Sequence, residues 1–148
     1  MTNKKIGVLL SLFMLISFGS WAQTKHTTTS SHSHLAISIA NGKALYLKNC
    51  STCHQDDGGG IGNMNPPLIK TTYVLGDKTK LIKIVLNGFN EEVEINGQTY
   101  QNTMPSHDFL KDQEIADVLT YVRNSFTNKA SAVTATQVKT VRANNKKK

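Results

Sequence analysis

The stretch YLKNCSTCHQDDGGGIGNMNPPL, residues 46–68, decides how this sequence is interpreted, because it holds both cysteines of the 148-residue chain. Cys50 and Cys53 are three positions apart, and His54 directly follows the second cysteine. Thiolates and imidazoles are side chains that bind transition metals and take part in redox chemistry. The spacing therefore predicts a site in which two thiols and one imidazole act together.

The first 22 residues have the parts of a secretory signal. Lys4 and Lys5 precede the apolar run IGVLLSLFMLISFG, and Ser20 and Ala22 are the small residues of a cleavage site. The run is about as long as a signal core and shorter than the ~20 residues that span a bilayer. We therefore expect a signal peptide over residues 1–22 and a periplasmic protein, with an uncleaved membrane anchor as the alternative.

Three ordinary uses of a C-x-x-C pair fit this chain poorly. A disulfide across the pair would close too small a loop to constrain the unfolded chain much. Thioredoxin-like chemistry places the motif at the start of a helix after a strand, whereas SIANGKALYLKN, residues 38–49, predicts a helix before Cys50. A zinc site needs two further ligands at compatible spacing. The other histidines are distant in the sequence: His26, His32, His34 and His107.

C-x-x-C-H is also the attachment motif of c-type haem. Two thiols at this spacing match the two vinyl groups of haem, to which they add as thioethers, and the following histidine is then delivered to the iron. We therefore predict one covalent haem c, attached through Cys50 and Cys53, with His54 as an iron ligand. Covalent attachment suits an exported protein because the cofactor cannot diffuse away.

The sixth coordination position of the iron has several candidates. Met64 lies in a glycine-rich loop shortly after His54 and would struggle to reach the opposite face of the ring. Met104 precedes Pro105, which biases the methionine toward an extended conformation that can cross the distal face. We favour Met104 over His107, an open site and Met64. Plain core packing is the ordinary role of a methionine and stays the alternative for Met104.

The order of these motifs resembles a class I monohaem cytochrome c from about Ser38 to Phe126. The resemblance rests on G-x-x-x-Y at Gly42 and Tyr46, on CSTCH, on the NPPL turn, on the Met-Pro pair and on EIADVLTYVRNSF near the end. It implies an all-α fold, a small cytochrome c fold with crossed N- and C-terminal helices around a covalent haem. The haem domain is expected to occupy residues 37–128.

The resemblance also gives Gly42 a structural role. In this fold the first and last helices cross, and the crossing needs a residue without a side chain. Gly42 would supply that space, with Tyr46, Val118 and Tyr121 packed around it. A glycine at the start of a helix with no packing partner is the alternative.

The loop after His54 contains four glycines, which let the backbone pass close to a flat ring. A phosphate-binding loop is excluded because no strand precedes it and no Lys-Ser or Lys-Thr follows. By resemblance, the carbonyl of Pro66 accepts a hydrogen bond from the far ring nitrogen of His54, with Pro67 as the alternative. Leu68 would pack on the haem.

Two further elements are predicted before Met104. Asp77 is a helix N-cap for KTKLIKIVLN, an amphipathic pattern that stops at Gly88. Asn96-Gly97 divides the alternating segment EVEINGQTY and predicts a short β-hairpin. A hairpin before the methionine ligand resembles a subset of bacterial cytochromes c found beside or fused to larger redox enzymes. A surface loop that merely leads to the methionine is the alternative. The inward positions of the helix are Leu81, Ile82, Val85 and Leu86.

The last predicted helix spans about Asp112 to Phe126. Asp112 and Glu114 favour its N-terminus through the helix dipole. The family often has Ser or Thr where Lys111 stands, so the usual cap is missing. Either Asp108 substitutes for it or the start of the helix frays. The buried stripe of this helix is Ile115, Val118, Leu119 and Val122.

Both flanks of the predicted domain are polar. Residues 23–36 predict a solvated linker in preference to a histidine metal site. Residues 129–148 carry basic residues and no acid, lack a helical stripe, and predict a disordered, solubilising tail. In the alternative, Val133, Val138 and Val141 lie along the domain surface, and the basic residues contact an acidic redox partner or a membrane surface. Nucleic acid is not expected as a partner of an exported haem protein.

Function is predicted from the coordination of the iron. With His54 on one side and Met104 on the other, the iron has no vacant position for a substrate. We expect a single-electron carrier and not an enzyme, working with a redox protein partner such as an oxidase, dehydrogenase or reductase. One alternative is a haem subunit bound permanently to a dehydrogenase, oxidase or nitrite reductase. Another is an open-site sensor or peroxidase, for which His107 is the sole candidate acid-base side chain.

Overall fold

The computed structural model describes residues 27–145, with side chains described from residue 32 onward. This part of the chain contains six α-helices and one two-stranded sheet, which confirms the predicted mostly helical fold with a hairpin. The predicted signal peptide, His26 and the last three lysines lie outside the described residues. The elements are α1 (Thr27–Asn49), α2 (Ser51–His54), α3 (Thr72–Leu75), α4 (Lys78–Asn87), β1 (Val93–Ile95), β2 (Gln98–Tyr100), α5 (Asp112–Asn124) and α6 (Ala135–Ala143).

α1 and α5 pack against each other where α1 carries Gly42. A Cβ at Gly42 would collide with the carbonyl of Asp117 and the side chain of Tyr121. A helical glycine costs up to about 1 kcal/mol relative to alanine, and the close contact explains why one is present. Tyr46 is fully buried one turn later, with its ring centroid 5.4 Å from that of Tyr121. The predicted close contact of Gly42 with the last helix, at Tyr121, is therefore confirmed.

The beginning of α1 differs from the sequence prediction. Thr27 is already helical, although residues 23–36 were predicted to form a linker. Adding residues to an existing helix avoids the costly nucleation step, so a packed helix can extend into a segment of poor helix formers. The side chains of residues 32–34 are exposed, and the extension stays solvated. Within residues 27–145, no helix combines the length and apolar character needed to cross a membrane.

α4 follows the predicted capping pattern, and the short α3, which was not predicted, also begins with a side-chain cap. The Thr71 side chain accepts a hydrogen bond at the start of α3, and Asp77 Oδ1 accepts one from the backbone of Lys80 at 2.7 Å. Gly88 ends α4 at φ 77°, a left-handed conformation that glycine adopts without steric cost. The buried residues of α4 are the four predicted ones: Leu81, Ile82, Val85 and Leu86.

β1 and β2 form the predicted hairpin. Val93 pairs with Tyr100 in antiparallel register, and Asn96 and Gly97 form the turn. Both turn residues have positive φ, 53° and 77°, as a type I′ hairpin turn requires. Tyr100 is buried at the end of β2, so the hairpin lies against the rest of the domain.

α5 carries the predicted buried stripe but uses a different cap. Its N-cap is Lys111, whose backbone N–H donates to Glu114 Oε2 at 2.7 Å. Glu114 therefore satisfies the N–H of the N-cap residue, as the acidic residue of a capping box does. The buried residues of α5 include the four predicted ones: Ile115, Val118, Leu119 and Val122.

The C-terminal segment is helical, so the predicted disordered tail is wrong over its described part. Thr134 and Gln137 form a capping box that begins α6. Val133, Val138 and Val141 are buried in the core, with α6 packed on α4 and α5. The valines do pack on the domain, as the alternative has it, but they are buried in its core and do not lie along its surface.

Arg142 joins α6 to the start of α5. Its guanidinium donates to Asp112 Oδ1 at 2.7 Å, to the carbonyl of Asp108 at 2.9 Å and to that of Leu110 at 2.6 Å. Three directed bonds from one planar group fix both the position and the orientation of the helix. This arginine is consequently a structural part of the domain.

Candidate functional site

A large cleft lies between the two cysteines, α4, the hairpin and α5. Its empty volume is about 1310 Å³, part of it open to solvent, and most of its lining side chains are apolar. The lining comes from α4, the hairpin and α5 as well as from the segment with the two cysteines, so one bound group could contact all of them. The six site residues predicted from the sequence all line it: Cys50, Cys53, His54, Pro66, Leu68 and Met104.

The end of α1 and the short α2 position the cysteines and the histidine. The backbone N–H of His54 donates to the carbonyl of Cys50 at 2.9 Å, so both residues belong to one helical turn. Cys50 and Cys53 are free thiols, the first partly buried and the second exposed. Burial, with a smaller contribution from Cys53, raises the pKa of the Cys50 thiol to about 11. Cys50 is therefore a neutral thiol at physiological pH.

His54 is fixed in one tautomer by the carbonyl of Pro66. The two groups are 2.9 Å apart, and because a carbonyl can only accept, Nδ1 carries the proton. Nε2 then keeps a lone pair, as a metal ligand needs. Burial lowers the pKa of His54, the bond to Pro66 opposes this, and nearby His107 lowers it further. The neutral ring, the form that binds metal, is therefore favoured.

Residues 55–70, which we call the His54 loop, close on themselves. Gly60 N–H donates to the His54 carbonyl at 3.0 Å, and Leu68 N–H donates to that of Gly58 at 2.8 Å. Gly60 has φ 70°, and a Cβ there would collide with the carbonyls of Asn65 and Pro66. The glycine is required because the loop folds tightly behind the carbonyl that holds the His54 ring.

Residues 101–107, which we call the Met104 segment, are fastened to α4. Met104 pairs with Phe89 through two backbone bonds of 2.7 and 2.9 Å. The Ser106 hydroxyl donates to the Leu86 carbonyl at 2.7 Å, and His107 N–H donates to that of Val85 at 2.8 Å. The carbonyls of Val85 and Leu86 belong to the last turn of α4, where helix geometry leaves acceptors without a partner inside the helix.

The geometry separates the candidates for the second axial ligand. Met104 is partly buried and lines the cleft, whereas Met64 is 48% exposed and is not among the lining residues. The ring nitrogens of His107 lie 3.0 Å from the carbonyl of Pro105 and 3.3 Å from that of Asn49. A coordinating His107 would have to leave a backbone carbonyl, so the arrangement favours Met104.

Asn128 was not predicted from the sequence, and it holds the His54 loop through its side chain. Its side chain is hydrogen-bonded to Leu68, Lys70 and Val122, at distances of 2.8 to 2.9 Å. No local pattern indicates this role, because the loop partners are 58 and 60 residues away in the chain. Thr134-x-x-Gln137, by contrast, is a capping-box signature from which α6 could have been predicted.

The residues of the cleft fit the predicted haem. The apolar walls would exclude water from a porphyrin, and the residues that carry the two thiols and the imidazole line the same space. Met104 supplies a thioether, the soft ligand found opposite histidine in electron-carrying haem proteins. Thiols for attachment, a fixed neutral imidazole and an apolar space are thus present together.

Comparison with known proteins agrees with this fit. The sequence profile described as Cytochrome c matches residues 39–126. Cytochrome c-552 of Thermus thermophilus is 33% identical over 118 residues, which cover 74% of this chain and 79% of that protein.

Cytochrome subunits of dehydrogenases are similar over a smaller share of their own length. The cytochrome c subunit of the quinone alcohol dehydrogenase of Gluconacetobacter polyoxogenes is 36% identical over 104 residues, 68% of this chain and 22% of that protein. The gluconate 2-dehydrogenase cytochrome c subunit of Pantoea cypripedii is 35% identical over 105 residues, 68% of this chain and 24% of that protein. The chain therefore spans about a quarter or less of the length of these subunits.

Proposed function

The chain belongs to the cytochrome c family, which binds c-type haem covalently, and we propose that it carries single electrons to and from a periplasmic redox partner. The observation that carries the proposal is the His54 ring, held by Pro66 with Nε2 left free in a cleft that Met104 also lines. Haem c supplies a one-electron Fe(III)/Fe(II) couple when bound.

Each site residue has a proposed role in the domain of residues 37–128. Cys50 and Cys53 would hold the haem through thioether bonds, at the spacing that the helical turn of α2 gives them. His54 and Met104 would ligate the iron, and Leu68 would pack against the haem. A thioether opposite an imidazole favours Fe(II) relative to a second imidazole, which raises the reduction potential.

Ligation on both sides leaves no position for substrate, which is why we propose a carrier and not an enzyme. The test uses the mature chain produced with a haem-attachment system. We expect a low-spin oxidised spectrum with the weak long-wavelength methionine band, and a reduced protein that does not bind carbon monoxide. High-spin iron in the unmutated protein would reject the carrier mechanism.

A second candidate is a haem subunit held permanently on a larger dehydrogenase. It is favoured by the similarity to cytochrome subunits of alcohol and gluconate dehydrogenases. Affinity purification from the native host discriminates the two proposals. A subunit is recovered in a fixed ratio with a large redox enzyme at high salt, whereas a free carrier is recovered alone.

We propose that only some of the basic residues in the C-terminal segment take part in partner binding. Arg142 is engaged with α5, while Lys129 and Lys139 are exposed. Long-range steering by exposed charges weakens with ionic strength. Replacing Lys129 and Lys139 with Glu reverses two charges. The variant should therefore associate more slowly with an acidic partner at low salt, and at an unchanged rate at high salt.

A further inference from the structure

Asn128 lies just after α5 and is almost completely buried, with 3% of its surface exposed. Its side-chain N–H groups donate to the carbonyls of Leu68 and Val122 at 2.9 and 2.8 Å. Its Oδ1 accepts from the backbone N–H of Lys70 at 2.8 Å. Both amide donors and the acceptor are thus used, so the side chain has one allowed orientation.

The turn that brings Asn128 inward is strained. Phe126 and Thr127 have φ values of 54° and 63°, a left-handed conformation that non-glycine residues rarely adopt. Strain of this kind persists only where surrounding contacts hold it. Here the Phe126 ring packs against Gly58, and the Asn128 amide bonds to Leu68 and Lys70, so both contacts are with the His54 loop.

The bond to Leu68 acts close to the carbonyl that orients His54. Both polar backbone groups of Leu68 are hydrogen-bonded. Its N–H donates to the carbonyl of Gly58, and its carbonyl accepts from the side-chain amide of Asn128. Only Pro67 separates Leu68 from Pro66, and the proline ring restricts rotation of the backbone there. The direction of the Pro66 carbonyl therefore depends on where Leu68 is fixed.

We propose that Asn128 is a positioning residue for His54. Through Leu68 it keeps the Pro66 carbonyl on the Nδ1 proton, and this bond raises the basicity of the ring as an iron ligand. The inference rests on the proposed role of His54 as a ligand. Asn128 lies two residues beyond the end of the family match, so membership of the family does not assign it this role.

The test compares Asn128→Ala with Asn124→Ala in the haem-loaded protein. Asn124 is a matched control because its amide also donates to a backbone carbonyl, that of Thr120 at 2.9 Å, without contacting the His54 loop. In reduced protein, NMR measures the exchange rate of the His54 Nδ1 proton with solvent, and a redox titration gives the potential.

We expect the Nδ1 proton to exchange at least tenfold faster in Asn128→Ala than in the control. The equilibrium constant for reduction should rise at least threefold, because a less basic ring stabilises Fe(III) less. If both values equal those of the control while only thermal stability falls, Asn128 is merely structural and the proposal is overturned. If Asn128→Ala does not mature, the same two readouts on Asn128→Ser decide, with smaller changes in the same direction expected.

The two proposals fail in different ways. If unmutated protein is low-spin with His54 ligated and Asn128→Ala matches the control, only the role of Asn128 is rejected. If unmutated protein shows no ligated His54 at all, the proposed function and this inference are both rejected.

Discussion

The His54 loop and the Met104 segment both line the cleft, but most of the contacts that hold them differ. The His54 loop closes through its own backbone bonds and is supported by Asn128, whereas the Met104 segment is fastened to the last turn of α4. Asn102 joins the two, with 3.2 Å hydrogen bonds to Met64 and Asn65. A loop that closes on itself keeps its shape when distant elements shift. The Met104 side therefore depends on α4 and should be the easier side to release.

The largest effect is expected from Met104→Ala, which removes the thioether that the Met104 segment contributes to the cleft. Haem should stay covalently bound and His54 should stay ligated, while the oxidised iron becomes high-spin and the long-wavelength band disappears. The reduction potential should fall by more than about 59 mV, a tenfold change in a one-electron equilibrium. Met64→Ala is the control, since Met64 is exposed and outside the cleft lining. Loss of the band in Met64→Ala instead would reverse the ligand assignment.

Two glycines offer a matched test of how each side is held. Gly60 and Gly88 have φ values of 70° and 77°, and a Cβ at either would collide with a backbone carbonyl, that of Asn65 or that of Met104. Each change to Ala should lower the free energy of unfolding by roughly 3 kcal/mol.

The spectra should then separate the two glycine variants. Gly88→Ala should weaken the methionine band, whereas Gly60→Ala should preserve it and speed exchange of the His54 ring proton. Denaturant unfolding gives the stabilities, and optical and NMR spectra give the ligation. Equal loss of the band in both variants would mean that the bonds of Asn102 to Met64 and Asn65 couple the two segments more strongly than α4 holds the Met104 segment.

A smaller effect is expected from Val138→Ala in α6. Val138 is fully buried, and losing its methyl groups should reduce the free energy of unfolding by about 2 kcal/mol. Because α6 packs on α4, this variant also tests whether the Met104 segment depends on elements beyond α4. We expect the methionine band to be unchanged at 25 °C but lost at a lower temperature than in unmutated protein. Lys139→Ala, on the exposed side of α6, should change neither.

The smallest effect is expected from Glu114→Ala, which contacts neither side of the cleft. The variant loses the acceptor for the Lys111 N–H and should lower stability by about 1 kcal/mol, with unchanged spectra. Glu114→Gln keeps an acceptor oxygen and should recover most of the loss. A spectral change in Glu114→Ala would mean that the two sides are coupled through α5.

Local signals account for the elements that could be predicted from the sequence. Asp77, Gly88 and Asn96-Gly97 each specify a backbone conformation within a few residues, and α4 and the hairpin form where they indicate. The His54–Pro66 contact could be predicted through the resemblance, because His54, Pro66 and Leu68 belong to one local loop with a family-typical spacing.

Elements that depend on distant partners were predicted poorly. The valines of the C-terminal segment are too few to form a recognisable stripe, and α6 is held by Arg142, whose partners lie 30 to 34 residues away in sequence. Asn128 likewise gains its role only when Leu68 and Lys70 are brought to it. Composition predicted disorder in this segment because it records charge but not the contacts available on the folded domain.

The helical start of α1 offers a rigid point of attachment for immobilising the protein on an electrode. Thr27 to Ser38 is a continuous part of α1, which at 1.5 Å per residue gives a rod of about 16 Å. A flexible leader would let an electrode-bound molecule tumble, whereas a rod holds it at one angle. Immobilisation through an added cysteine at Thr27 should therefore give a narrow distribution of heterogeneous electron-transfer rates in film voltammetry.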